Sequence, residues 1–191
     1  MAVPLTPPPG RRLGPVCAAL LVVALAGCAR AWSLRQPADF ALIFGTPLPG
    51  YEAPPEATLP AGMRCSAVLC GVVQQALAAG ELDRAVAPLA YADRNPPDGQ
   101  GLAALGLTAE AVSLALGGWV VLLGFLTHEV FGHTAAFAAD PEPMFRAHVQ
   151  AMLVSMGADH DAARTATVAE RDARAEADDA GATRDHVSAG R

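Results

Sequence analysis

The stretch ARAWSLRQPADFALIFGTPLPGYEAP, residues 29–54, decides the fold of this chain. Its large apolar residues recur at the spacing of a helix rather than with the alternation of a strand: Trp32, Phe40, Ile43 and Phe44. Pro37 lacks a backbone donor and disfavours helical geometry in the residue before it, so the sequence predicts two helical pieces that meet there. Gly45 ends the second piece, and the prolines between Thr46 and Pro60 predict an extended loop.

A second stretch, GGWVVLLGFLTHEVFGH at residues 117–133, lies in a long segment without proline. Thr108 can cap a helix there, and the sequence predicts that this helix runs from Ala109 to about Ala138. Its apolar run from Ala115 to Leu126 is shorter than the roughly 20 residues of a membrane span, which favours a buried helix.

Two further helices are predicted on either side of it. One runs from about Pro60 to Gly80 and has a one-sided apolar stripe. The other has Asp140 as its cap and Pro141 as its first residue, and its apolar residues share one face before Gly157: Phe145, Val149, Met152, Leu153 and Met156. A surface loop is predicted at residues 95–99, NPPDG. Apolar residues make up 52% of the chain and aromatic residues only 5%, which favours an all-α fold of closely packed helices.

Length, charge and cysteine content narrow the class of protein. The 191 residues suit one domain. The formal net charge of −6 argues against wide contact with nucleic-acid phosphates. The four cysteines are too few for a disulfide framework, and the step from Cys65 to Cys70 is not that of a zinc or redox motif. We therefore expect buried thiols in a reducing cytosol.

Taken together, the two stretches resemble the C-terminal, ligand-sensing domain of TetR-type bacterial transcriptional regulators. The resemblance covers residues 29–157 and depends on the block Phe44–Tyr51, the helix end at Gly80 and a set in the second stretch: Trp119, Gly124, Glu129, Phe131, Gly132 and His133. It implies a cytoplasmic, all-α antiparallel bundle that binds an unknown small-molecule effector. It also implies a homodimer, in which segments 109–138 and 141–156 pair with their mates in a four-helix bundle.

The resemblance assigns candidate site residues as well. The effector cavity would be lined by Trp32, Phe40, Phe44, Trp119, Phe125 and His128. The aromatic residues among them also fit a simple role in filling the core. The dimer interface would contain Gly124, Phe131, Phe145, Val149, Met152 and Met156. Gly117, Gly124 and Gly132 lie near one face of the predicted helix, where a glycine costs about 1 kcal/mol, so we expect a closely approaching helix or room for a ligand there.

The sequence HEVFGH, residues 128–133, superficially resembles the His-Glu-x-x-His motif of zinc peptidases. His128 and His133 are five residues apart, about 140° around a helix, which predicts that they point to different sides. The chain also contains no Gly-x-Ser-x-Gly motif, P-loop or glycine-rich dinucleotide fingerprint. We therefore expect no metal, no cofactor and no enzymatic activity; a metal-dependent hydrolase stays an alternative, which stoichiometric zinc lost on changing His128 would support.

Both ends of the chain differ from the central residues 29–157. In residues 1–28, two arginines and an apolar run precede Cys28, a pattern that fits a core helix, a misassigned start codon or a lipoprotein signal that would anchor an envelope protein at Cys28. Residues 158–191 have almost no large apolar side chain and dense mixed charge, which predicts a disordered tail. Because no basic helix-turn-helix precedes the resemblance, we expect a truncated regulatory domain that contacts DNA only through a missing module and has no membrane partner.

Overall fold

The computed structural model describes residues 15–45, 50, 54–83 and 106–189. Within those ranges the chain forms six α-helices: α1 Pro15–Arg35, α2 Pro37–Phe44, α3 Pro55–Ala79, α4 Ala109–Val130, α5 Glu142–Ser155 and α6 His160–Ala189. One turn of 3-10 helix, His133–Ala136, follows α4. In the same ranges, extended backbone pairs in a single bridge between Leu82 and Ala158. The predicted all-α fold class is confirmed.

Helix α1 runs unbroken through Cys28 and supplies a wall of the core. Its buried face includes five residues that precede Cys28: Ala18, Ala19, Val22, Val23 and Ala26. All five lie in the segment that the lipoprotein alternative would remove by cleavage before Cys28. By length and composition α1 and α4 could each cross a membrane, but buried core helices pass the same test.

Local sequence signals place several helix ends where they were predicted. Helix α1 ends two residues before Pro37, which begins α2, and Gly45 ends α2. Gly80 ends α3 in the left-handed conformation, with φ +72°. The hydroxyl of Thr108 accepts the backbone N–H of Ala111 at 3.2 Å and caps α4.

The predicted loop from Thr46 to Pro60 is wrong at its second half, because α3 begins at Pro55. Proline fits the first turn of a helix, where its missing N–H would have no partner. The Thr58 hydroxyl donates to the Pro54 carbonyl at 3.0 Å and closes that first turn. The predicted loop at residues 95–99 lies outside the described residues.

Helix α4 ends at Val130, well before the predicted Ala138. Gly132 has φ +78°, a left-handed conformation that ends helices and that glycine adopts without a steric penalty. A helix restarts here as predicted, but one residue later: α5 begins at Glu142 with Pro141 at the N-cap position, and the Asp140 carboxylate accepts the backbone N–H of Glu142 at 3.0 Å.

The disordered tail predicted for residues 158–191 is wrong over most of its length, because α6 occupies residues 160–189. The Asp159 carboxylate caps α6, and one face of the helix packs against α1. The residues of that face are small and fully buried: Ala163, Ala166 and Thr167. The prediction counted large apolar side chains, whereas small residues let two helix backbones approach closely.

Candidate functional site

An apolar cavity of about 40 Å³ lies between α1, α3, α4 and α5. Its walls carry aliphatic side chains, two thioethers, one thiol and one indole: Val22, Leu25, Ala26, Ala29, Cys65, Leu69, Ala115, Gly118, Trp119, Leu122, Met152 and Met156. No charged side chain is among them. Such a site favours apolar molecules, because burial of a charge without a partner is costly.

The cavity exists because small residues face flexible ones across it. Gly118 has no side chain, and a Cβ placed there would lie 3.1 Å from the sulfur of Met156 and 3.4 Å from that of Met152. Methionine side chains are unbranched and adapt readily to the shape of a neighbour. The cavity can therefore widen on the α5 side without movement of the backbone.

A row of aromatic rings leads from the end of α1 to the cavity wall. Ring centroids lie 6.4 Å apart for Trp32 and Phe40, 5.2 Å for Phe40 and Phe44, and 6.0 Å for Phe44 and Trp119. Of this row only Trp119 lines the cavity. The other three were predicted as lining residues but lie behind the wall: Phe44 packs directly on Trp119, and Phe40 is only 1% exposed.

The remaining predicted ligand residues, Phe125 and His128, lie away from the cavity. Phe125 is buried against Phe145 and His148, with ring centroids at 5.6 and 5.0 Å. His128 is exposed, and its Nδ1 lies 2.9 Å from the carbonyl oxygen of Gly124. Helix position alone could not distinguish these two residues from Trp119.

His128 and His133 do not point to different sides as predicted. Their ring centroids are 5.7 Å apart, because α4 ends before His133 and the turn at Gly132 brings the two rings together. Over the described part of the chain, no group of three or more His, Cys, Asp or Glu side chains could hold a metal ion.

A nearly buried cluster of charges joins α1 to the end of α4 and the start of α5. The Arg30 guanidinium donates two hydrogen bonds to the Glu129 carboxylate, at 2.8 and 2.6 Å, and also contacts Glu142. Glu142 accepts from Arg146 at 2.8 Å, and Arg30 lies over the ring of Phe145, 4.9 Å from its centroid. Two positive and two negative groups balance, so the cluster is structural and leaves no spare charge.

A second cavity of about 40 Å³ lies next to the first, beside the start of α1. Its walls are apolar except for two carboxylates, Glu81 and Asp159. The backbone N–H of Ala18 donates to Glu81, but Glu81 Oε2 is buried and has no hydrogen-bond partner among the described residues. Desolvation by burial raises the pKa of Glu81 above its ordinary value.

The predicted dimer residues fall into two groups. Four are buried inside this chain and offer no surface to a second subunit: Phe145, Val149, Met152 and Met156, all 5% exposed or less. Gly124 and Phe131 lie on the surface. The apolar face of α5 was predicted to meet a second subunit, but α1 and α4 of the same chain already cover it.

One face of α4 is apolar and uncovered. It carries Leu116, Val120 and Val121, of which Val120 is 61% exposed. Gly117 and Gly124 lie on the same face, and an added Cβ would meet nothing within 4 Å at either residue. We call these five residues the α4 stripe. Gly132 was predicted to share this face, but it lies beyond the end of α4, in a left-handed conformation.

Several site residues were missed in the sequence. On α1, the cavity-lining residues Val22, Ala26 and Ala29 recur at helical spacing. This pattern was missed in the sequence because the side chains are small. Cys65 was expected to be buried, but both Cys65 and Cys28 are exposed and only Cys70 is buried. Burial raises the pKa of the Cys70 thiol.

The family model described as tetracyclin repressor-like, C-terminal domain, matches residues 22–152. Curated relatives named HTH-type transcriptional regulators, from Mycobacterium bovis and from two strains of Mycobacterium tuberculosis, are 30% identical over 142 residues. The match covers 73% of this chain and 60% of each relative, so the chain spans about 60% of the length of these relatives. The chain belongs to the family of TetR-like C-terminal domains, a family of transcriptional regulators.

Proposed function

We propose that this chain is the effector-sensing and dimerisation domain of a TetR-like transcriptional regulator. The observation that carries the proposal is the apolar cavity between α1, α3, α4 and α5; the family model matches residues 22–152, which include every lining residue except Met156. It is enclosed by helices from both halves of the described chain, so occupancy would change how those helices pack. In our proposal the domain acts in the cytoplasm, which its resemblance to transcriptional regulators supports.

To sense an effector, the domain must pack its helices in two ways, one with the effector bound and one without it. The cavity in this structure has room for only a few atoms, so an effector binds by displacing the side chains of Met152 and Met156. Met152 belongs to α5 and Met156 follows its last residue; α5 also contributes Glu142 to the charge cluster with Arg30. Effector binding would then shift the population toward a packing with α5 displaced from α4.

The α4 stripe supports dimerisation. Exposed apolar residues recur every three or four positions along it, and its two glycines would allow a second helix to approach closely. The outward face of α5 carries small residues that fit the same contact, at Ala147, Ala151 and Ser155. In our proposal these surfaces replace the buried α5 residues in the four-helix dimer contact.

The relatives are named HTH-type regulators, which assigns DNA binding to them. For this chain we propose that DNA contact depends on a helix-turn-helix module. In a dimer, effector binding would change the distance between the two modules. The net charge of −6 supports this division, because the domain itself carries little positive charge for phosphates.

Cavity filling tests the effector site. In Ala29→Val, two added methyl groups enter the cavity, whereas in Ala24→Val they enter solvent from the same helix, so both variants carry the same cost in helix propensity. We expect the fluorescent apolar probe N-phenyl-1-naphthylamine to bind the wild-type protein and Ala24→Val, and to bind Ala29→Val at least about fivefold more weakly. Equal binding to both variants would place the probe elsewhere and count against this cavity.

A further inference from the structure

The two cavities are neighbours that share a wall. Val22 of α1 and Met156, the residue directly after α5, line both of them. Val22 is a stiff, β-branched side chain, whereas Met156 has three rotatable bonds and a soft thioether. A change of the Met156 rotamer would therefore join the two cavities into one elongated space along α1.

The two ends of that space differ in chemistry. The end beside Trp119 is wholly apolar, whereas the other end contains the carboxylates of Glu81 and Asp159. Asp159 is already engaged, because its Oδ1 accepts the backbone N–H groups of Asp161 and Ala162 at 2.9 Å each. Among the described residues, Glu81 accepts one hydrogen bond, from the backbone N–H of Ala18.

Glu81 therefore has one carboxylate oxygen that can still accept a hydrogen bond. Capping the first turn of α1 needs one acceptor, which accounts for the contact with Ala18. Oε2 remains buried without a donor among the described residues, and a buried acceptor without a donor costs roughly 1–3 kcal/mol. No arginine or histidine lines either cavity to supply that donor.

We propose that the effector is an elongated apolar molecule with one cationic amine at its end, whose body occupies the cavity beside Trp119 and whose ammonium group donates to Glu81 Oε2. This inference rests on the proposed effector role of the first cavity and specifies its ligand class. An amine satisfies the unpaired oxygen and neutralises the carboxylate at once, whereas an anionic headgroup would meet two carboxylates.

Three probes of equal chain length separate the headgroup from the apolar body: octylamine, 1-octanol and octanoate. Isothermal titration calorimetry measures the Kd of each probe for the wild-type protein, for Glu81→Gln and for the control Glu56→Gln. Glutamine has the size of glutamate and retains an acceptor for the Ala18 N–H, so the start of α1 stays capped. Glu56 is an exposed carboxylate in the first turn of α3, outside both cavities.

We expect octylamine to bind the wild-type protein most tightly and octanoate most weakly. Glu81→Gln weakens octylamine binding at least about tenfold, because a hydrogen bond between two charged groups is lost. The control variant Glu56→Gln binds octylamine as tightly as the wild-type protein does. If 1-octanol or octanoate binds as tightly as octylamine, or if Glu81→Gln does not alter the order, the amine inference is wrong while the effector role stands. If none of the three binds but N-phenyl-1-naphthylamine does, the inference is likewise wrong. If no probe of any kind binds, the proposed effector role is wrong with it.

Discussion

At the scale of single residues, Arg30 holds together three helices. Its guanidinium makes a two-point contact with Glu129 and a further contact with Glu142, and it lies over the Phe145 ring. The Arg30 and Glu129 side chains are only 11% and 5% exposed. Removal of one residue of such an ion pair is strongly destabilising, because the other residue is left as a buried charge without its partner.

Glu129→Ala is therefore expected to destabilise the fold by about 3 kcal/mol, the cost of leaving a nearly buried arginine with one remaining carboxylate. Urea unfolding followed by circular dichroism measures the change. Arg164→Ala serves as the control, because its ion pair with Asp161 is exposed and should contribute almost nothing. Similar unfolding midpoints for the two variants would show that the Arg30 cluster contributes no more than a surface pair.

At the scale of helices, α6 shows how a polar sequence can form part of a core. Its buried face consists of alanine and threonine, and Gly27 on α1 leaves space for the Glu170 and Arg174 side chains to cross α1. Those two residues form an ion pair one helical turn apart, with Nε 2.9 Å from the carboxylate. The helix is thus stabilised by alanine propensity, turn-spaced charges and close backbone contact.

Ala166→Leu tests this packing. Ala166 is 0% exposed between α6 and α1, so the larger side chain should separate the helices and destabilise the protein by about 1–3 kcal/mol. Thermal unfolding measures the effect against Ala169→Leu, which places the same side chain on the exposed face of α6. An Ala166→Leu protein as stable as Ala169→Leu would indicate that α6 does not pack on α1 in solution.

At the scale of the whole molecule, the α4 stripe is the uncovered surface that a second copy would bury. Its residues lie opposite the Gly118 face, which packs on Met152 and Met156. Helix α4 therefore has an inner face toward the cavity and an outer face toward the proposed dimer partner. Because one helix forms both, a ligand that moves α4 would also alter the dimer contact.

Val120→Glu is expected to convert a dimer into a monomer, because a carboxylate at the centre of the α4 stripe would be buried without a partner in the dimer. Size-exclusion chromatography with light scattering measures the mass. The matched control, Val168→Glu, places the same charge at an exposed valine on α6 and should remain dimeric. A wild-type protein with the mass of one chain would contradict the proposed dimer directly.

The sequence by itself determined the helical class, the family and the helix ends at Pro37, Gly45, Gly80 and Thr108. These follow from local chemistry, since proline, glycine and capping residues act on the backbone next to them. It also predicted a cavity position for both Trp119 and Phe125, and only Trp119 lines the apolar cavity; the sequence could not separate the two, because both are aromatic residues of one apolar helix.

Only the tertiary structure decided which faces meet. The burial of Met152 and Met156 inside the chain, the packing of α6 through Ala163 and Ala166, and the two cavities that share Val22 all depend on segments far apart in sequence. Small residues and flexible methionines carry little periodic signal, yet they determine how closely helices approach and where space remains. The contacts of a site depend on that three-dimensional apposition, whereas the ends of a helix depend on its neighbours in the chain.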